Sequence, residues 1–351
     1  MNFGIIGLGN IANKFAKTLN EMDDANLYAV ASRDLNKAKE FGEKYNSTKY
    51  YGSYDELYND PNIDVIYIAT PNSMHYKNSL DALMHHKHVI CEKPFTTNPS
   101  EAKELYSYAK DNNLFIMEAL WIEFLPSYKK IKELVNNGAI GDIKSLKVSY
   151  GFDTNSDRKK RKFDSSLAGG ALLDIGIYNL GFIDIILDRD VKSFKSEYRL
   201  NEYNTDDYSK IELAYDNDIK AELITTIGED LKREAYIIGS KGSIYIPDFQ
   251  QNQEFKLNDV LYTYPFEING FEYQIREAIN SIENGRYESM IYPSDKSIRL
   301  MKLLYDNTSN TNSITTKKTS KIFFKPLVNL TSFSSFFLSF SSSSSSLPIV
   351  P

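Results

Sequence analysis

The stretch Gly7-Leu8-Gly9-Asn10-Ile11-Ala12 constrains this chain more than any other. It follows directly on a short apolar run, Phe3–Ile6, and opens a run of helical period, Ile11–Asn20. Glycines at this spacing let a strand turn tightly into a helix and let backbone N–H groups approach a pyrophosphate. The small Ala12 stands where helix and strand pack closest. Phosphates placed there meet the positive end of the helix. An ordinary turn of a flavodoxin-like sheet also satisfies the pattern. Its position at the head of a βαβ unit favours dinucleotide binding, through Gly7, Gly9, Asn10 and Ile11.

The following residues keep the same rhythm. Strand-like runs at Tyr28–Ala31, Val65–Ala69, His88–Cys91 and Phe115–Met117 alternate with helical runs such as Leu35–Tyr45 and Pro99–Asn112. Such alternation implies βαβ crossovers and a parallel sheet. After about Gly141 the pattern changes. Strand-like runs at Ser193–Leu200, Tyr208–Tyr215, Ile219–Thr226, Glu234–Gly239 and Ser243–Ile246 follow one another without helices between them, as Ile143–Tyr150 also alternates. That predicts an antiparallel sheet with one solvated or partner-facing side. A basic loop (Asp157–Lys162) and a Gly-Gly pair precede a strongly apolar helix, Ala171–Leu187, and two helices close the pattern at Phe271–Asn284 and Ser294–Tyr305. The expected division is 1–120, 121–306, and a tail, 307–351. The tail is rich in Ser, Thr, Asn and Phe, carries a run of six serines, and reads as disordered or as an artefact.

The second strand ends Ala31-Ser32-Arg33-Asp34. An acidic residue at the strand end would bond a ribose 2′-hydroxyl; here Ser32 and Arg33 instead suit a 2′-phosphate, and Asp34 suits a helix cap. This favours NADP, with NAD still admissible. The alternative is a merely solvated Arg33. Thr70-Pro71-Asn72, with His75 just beyond, follows Val65–Ala69, and Glu92-Lys93-Pro94 follows His88–Cys91, at the sheet edge where cofactors bind. A lysine there lies near a nicotinamide, Glu92 is placed for the cofactor's ribose, and Pro94 suits a cis peptide in a tight turn. Asp174 and Tyr178 stand one helical turn apart in an apolar run, so both need partners. They suit a general acid/base pair or substrate ligands; a capping aspartate and an interface tyrosine are the alternative.

Composition narrows the classes. Hydrophobic residues make up 42% and charged residues 25%, with a net charge of -6 from 41 basic and 47 acidic groups. No clustered basic footprint for nucleic acid is evident. One cysteine, Cys91, excludes an internal disulfide and fits a reducing cytoplasm. No signal peptide, membrane span or metal site is expected.

Together these motifs resemble the Gfo/Idh/MocA family (glucose-fructose oxidoreductase, inositol dehydrogenase, rhizopine catabolism) over residues 1–305. Glu92-Lys93-Pro94 looks like one family signature and Gly169–Tyr178 like another. Met117-Glu118-Ala119-Leu120-Trp121, with Phe124, Pro126, Gly141-Asp142-Ile143 and Gly270-Phe271-Glu272-Tyr273, is similar to its dimeric dihydrodiol dehydrogenase and NADP-dependent xylose dehydrogenase branch. The resemblance implies an α/β fold: an N-terminal Rossmann domain, then a C-terminal α/β domain with a large, mostly antiparallel open-faced sheet that often mediates dimerisation. It implies an NAD(P)-dependent dehydrogenase acting on a sugar, polyol or vicinal diol. Lys93 and Tyr178 would sit at the reacting carbon, Lys93 lowering the pKa of the Tyr178 phenol. Asp174 would orient the lysine or bind a substrate hydroxyl, and Trp121 and Arg161 would join the cofactor site. Specificity is expected from the loops around 151–168 and 226–233. A non-catalytic NADP sensor and a redox-neutral nicotinamide enzyme are the rival readings of the same fold.

Overall fold

The computed structural model describes residues 1–154 and 156–309. The expected tail therefore lies, from residue 310 on, outside the described residues. Strands β1 (Asn2–Ile6), β2 (Asn26–Ala31), β3 (Lys49–Tyr51), β4 (Val65–Ile68), β5 (His88–Glu92) and β6 (Ile116–Ala119) form one sheet in the order β3-β2-β1-β4-β5-β6. Every pairing in it is parallel. Helices α1 (Asn10–Asn20), α2 (Leu35–Lys44), α3 (Tyr54–Tyr58), α4 (His75–Met84) and α5 (Pro99–Asp111) form the crossovers. The central strands are largely apolar because both faces are covered: all of Val65–Ile68 is buried, as are Phe3, Ile5 and Ile6. Helix α1 turns Ala12, Phe15, Ala16 and Leu19 inward, the stripe expected of a surface helix. The strand order reverses between β1 and β4, so the turns after these two strands diverge and leave a crevice.

After α6 (Pro126–Asn136) comes the second sheet. Strands β7 (Ile143–Phe152), β8 (Ser193–Leu200), β9 (Asp206–Ala214), β10 (Lys220–Ile227), β11 (Ala235–Gly239), β12 (Ser243–Ile246), β13 (Glu254–Leu257) and β14 (Val260–Thr263) lie in the order β14-β13-β12-β11-β7-β10-β9-β8. Only the central β7–β10 pair is parallel. The β13–β14 hairpin was not legible from pattern, because Gln, Asn and Glu flank its short strands; its turn uses Asn258 at φ +52°.

The basic stretch expected as a loop is instead part of α7 (Ser156–Phe163), since Lys and Arg are good helix formers. The apolar run beyond it forms α8 (Ile177–Leu187), every residue of which is buried. Ser165–Leu187 is long and apolar enough to cross a membrane by length and composition, yet 83% of its most apolar 18 residues is buried within the fold. It serves as a core helix. It covers the inner face of the second sheet, where Leu146, Val148, Ile211, Leu213, Ala221 and Leu223 alternate inward. The Asn179 side-chain amide anchors it by donating to Ile224 O at 3.0 Å and Thr225 Oγ1 at 2.9 Å. The other face carries exposed Lys147, Lys195 and Glu212 beside half-buried Tyr236 and Tyr245.

The chain then returns to the first sheet through α9 (Glu272–Glu283) and α10 (Ser294–Ser309). Ile116 N–H donates to Tyr287 O at 3.0 Å, and Ser297 Oγ donates to Glu118 Oε2 at 2.6 Å. Helix α10 outlasts the expected end at Tyr305: Asn307 is buried, and the Tyr198 hydroxyl donates to its Oδ1.

Candidate active site

The turns after β1, β4 and β5 face the residues leading into α8 across a cleft of about 430 Å³. Gly9, Asn10 and Ile11 line it from the first turn, and Thr70, Pro71, Asn72 and His75 from the second. Gly7 shapes it from below. Its φ is +83°, and a Cβ there would stand 2.3 Å from the Ala69 carbonyl carbon, so only glycine lets the two turns approach. Gly9 begins α1 without a side-chain cap, and no acidic residue occupies the first turn. The N–H groups of that turn are left for an anion.

Glu92 and Lys93 enter from β5, and the Lys93–Pro94 peptide is cis. The Glu92 carboxylate is buried and accepts from the Tyr67 hydroxyl; burial pushes its pKa up, against the pull of Tyr67 and Lys93. Opposite, Leu172–Gly176 is wound as a π-turn ahead of α8, a wider winding than the regular helix expected there. Asp174 and Tyr178 both line the cleft. Lys93 Nζ donates to Asp174 O at 2.5 Å and lies 3.4 Å from Oδ1. Lys162 Nζ pairs with the other carboxylate oxygen. Burial pushes the Asp174 carboxyl up, but the two ammonium groups outweigh it and hold its pKa below the usual range. Asp174 thus stays ionised and fixes Lys93, whose Nζ sits 4.8 Å from the centre of the Tyr178 ring.

The structure corrects four expectations. The Tyr178 phenol is not made more acidic: burial first, then the Glu92 carboxylate, pushes its pKa well above the ordinary value. Lys93 is held over the ring by Asp174. Trp121 does not reach the cleft. It is 3% exposed, packs edge-on to Phe266, and carries the Lys14 ammonium 4.2 Å from its ring centre. His75 lines the cleft, but its nitrogens face Pro94 O at 2.8 Å and Thr70 O at 2.9 Å. Burial favours the neutral ring, whose one N–H donates to one of these carbonyls, so it offers no free donor to a ligand. Finally, loop 226–233 supplies no lining residue among those described, whereas 151–168 supplies Phe152, Arg161, Lys162 and Leu167. Ser32 and exposed Arg33 lie beyond β2, away from the cleft lining; Ser32 Oγ accepts from Asp34 N–H at 3.2 Å, and Asp34 caps α2 as expected.

This geometry can be set against known proteins. Residues 1–120 match the family model described as the oxidoreductase family, NAD-binding Rossmann fold, and residues 128–245 match the GFO/IDH/MocA C-terminal domain. A trans-1,2-dihydrobenzene-1,2-diol dehydrogenase from Mus musculus is 32% identical over 317 residues, covering 87% of this chain and 95% of that protein. The chain belongs to the Gfo/Idh/MocA oxidoreductase family. A relative of the same name from Xenopus laevis is 38% identical over 250 residues, covering 70% of this chain and 75% of that protein. A 3-ketoreductase from Actinomadura kijaniata, solved in complex with NADP and TDP-benzene, shares the fold at a TM-score of 0.80 and 23% identity, over 88% of this chain and 97% of that one. An aldose-aldose oxidoreductase from Caulobacter crescentus does so at 0.78 and 22%, over 89% and 98%.

Within this Gfo/Idh/MocA fold, several cleft residues carry no sequence signal of their own. Tyr150 and Phe152 on β7 and Gln250 after β12 complete the wall around Tyr178. Tyr150 lies in an expected strand and Phe152 in an expected specificity loop, but neither was singled out, Gln250 lies in an unremarked loop, and only the second sheet brings all three to the first-sheet turns.

Proposed function

We propose that the protein is an NADP-dependent dehydrogenase/reductase that interconverts a carbinol and a carbonyl on a vicinal diol or sugar. The carrying observation is the convergence of Lys93, Asp174 and Tyr178 beside the uncapped start of α1. The residues present suit a dinucleotide. A Cβ at Gly9 would meet nothing nearer than Gly7 O at 3.9 Å, leaving open space where a phosphate would approach. Ser32 and exposed Arg33 stand at the end of β2, where a 2′-phosphate is read. Bound NADP would supply the hydride donor or acceptor.

The rest is done by this chain. The Lys93 ammonium, fixed by Asp174, is placed to hold the substrate oxygen. Tyr178, kept neutral by burial, is suited in that state to give its proton to a forming alkoxide. Reduction therefore uses the resting protonation state, and oxidation first requires the phenol to lose its proton. The names of the relatives support diols and sugars as substrates. The mixed outer face of the second sheet, with Tyr236 and Tyr245 among charged side chains, supports a homodimer; the single buried cysteine supports a cytoplasmic setting. The deciding experiment assays aldoses, polyols and vicinal diols for NADP reduction with NAD in parallel. Turnover of none of them, or a strong NAD preference, would overturn the reading. Light scattering tests the dimer.

A further inference from the structure

The loop after β12 is clamped from several sides. Phe249 O accepts from the Tyr128 hydroxyl at 2.5 Å, and Asn252 O accepts from Ser127 Oγ at 2.7 Å, both on α6. From the strand side, Phe249 N–H donates to Arg233 O at 2.8 Å. The Arg233 guanidinium donates through Nη2 to Asp248 Oδ2 at 2.5 Å and through Nη1 to Gln250 Oε1 at 2.9 Å. Its Cζ also lies 5.8 Å from the centre of the Tyr150 ring. Between these clamps, Gln250 lines the same cleft as Tyr178, and its amide acts to lower the pKa of the phenol against the larger upward push of burial.

The identity of the partner settles which way the amide faces. A guanidinium only donates, so the atom it meets must be the amide oxygen. The NH₂ group is then the part left for Tyr178, and it only donates. A donor on the phenolic oxygen occupies one of its lone pairs and cannot accept its proton. We propose that Gln250, locked by Arg233, is a positioning residue that donates to Tyr178 Oη and directs the Tyr178 proton into the cleft, toward the substrate oxygen. The assignment rests on the function proposed above and names the group that orders its proton transfer. In reduction the Tyr178 O–H bond breaks as the substrate O–H bond forms. The phenolate left behind is stabilised by the Gln250 N–H; oxidation returns the proton by the same path.

The ionisable groups facing Tyr178 are Glu92 and Lys93 at the end of β5, Tyr67 on β4, Tyr150 on β7 and Asp174 in the π-turn. The Gln250 amide carries no charge, so replacing it leaves the charges of the site unchanged. The test places a fluorinated tyrosine, whose phenol ionises at lower pH, at position 178 and follows its titration by fluorine NMR in the full chain. Gln250→Leu should raise that midpoint by about one pH unit, the worth of one lost hydrogen bond to the charged form. Arg233→Met, which frees the amide to flip, should raise it by less. In turnover, Gln250→Leu should lower kcat roughly tenfold and leave NADP affinity unchanged, with the pH profile of oxidation displaced upward. An unmoved fluorine midpoint, or a change in substrate KM alone, overturns the proposal. If no diol or sugar is turned over by the parent protein, the proposed function fails, and the fluorine titration still decides the role of Gln250.

Discussion

The two glycines of the first turn should fail in opposite ways when each is given a single methyl group. At Gly7, with φ at +83°, an alanine would sit in backbone space that costs an L-residue about 1–2 kcal/mol. Its Cβ would also stand 2.3 Å from Ala69 C and 2.4 Å from Thr70 N. Those are backbone atoms, so the β4 turn itself must move, at about 1–3 kcal/mol. The sum, about 2–5 kcal/mol, is a large part of the stability of an ordinary fold. At roughly 2 °C per kcal/mol for a chain of this size, Tm should fall by about 4–10 °C. Gly9 has φ at -101° and its nearest contact at 3.9 Å. Gly9→Ala should therefore melt within about 2 °C of the parent, or slightly above it through the entropy of the unfolded chain. Its methyl, however, fills the approach to the α1 N-terminus. Lost contact with one phosphate group, about 1.4 kcal/mol or more, weakens NADP at least tenfold. Melts without cofactor, paired with calorimetric titration of NADP, measure both quantities. A Gly7→Ala protein that melts with the parent, or a Gly9→Ala protein with parental Kd, refutes the argument.

Other expectations concern charge. Lys93→Met should cut kcat by two orders of magnitude or more while the protein still folds, because Lys162 remains to pair Asp174; normal turnover would remove Lys93 from the chemistry. Arg33→Glu should reverse the cofactor preference, read as the ratio of kcat/KM with NADP to that with NAD. The buried Glu118 accepts from Phe95 N–H, Tyr292 and Ser297, and burial raises its pKa to about 7. For an acid shifted upward, the folded state holds its proton longer than the unfolded chain. This contribution is therefore full below about pH 4.5 and lost as pH rises to about 7, on the order of 3 kcal/mol in all. Urea melts at pH 5 and pH 8 should show Glu118→Gln gaining on the parent at the higher pH; a pH-independent difference between the two proteins contradicts this.

Local chemistry carried much of the site into view before any contact was known. The glycine turn, the lysine after β5 and the Asp174/Tyr178 pair are each set by neighbours within a few residues. Periodicity likewise marked five of the six parallel strands and the long antiparallel ones, because burial on one face or two leaves a direct trace in the order of side chains; the edge strand β3, three residues long and partly exposed, left none. The β13–β14 hairpin left a weak trace because its strands are only four residues each and are flanked by polar residues. The π-turn at Leu172–Gly176 left none, since its winding answers to packing against the second sheet.

The chain's own order of residues determined that a strand turns into a helix at Gly7–Gly9, that nucleotide phosphates are suited there, and that Lys93 and Tyr178 are the groups with chemistry to offer. It could not determine their electrostatic state. Whether Tyr178 is acidified or kept neutral depends on how much water the closed cleft excludes and on Glu92. Where Lys93 points depends on Asp174 and Lys162 across the cleft. Gln250 lines the cleft with Tyr178 only because Arg233 and α6 hold its loop. These are contacts between segments far apart in the chain, whose energies exist only once the two sheets have closed on one another, and tertiary structure alone decides them.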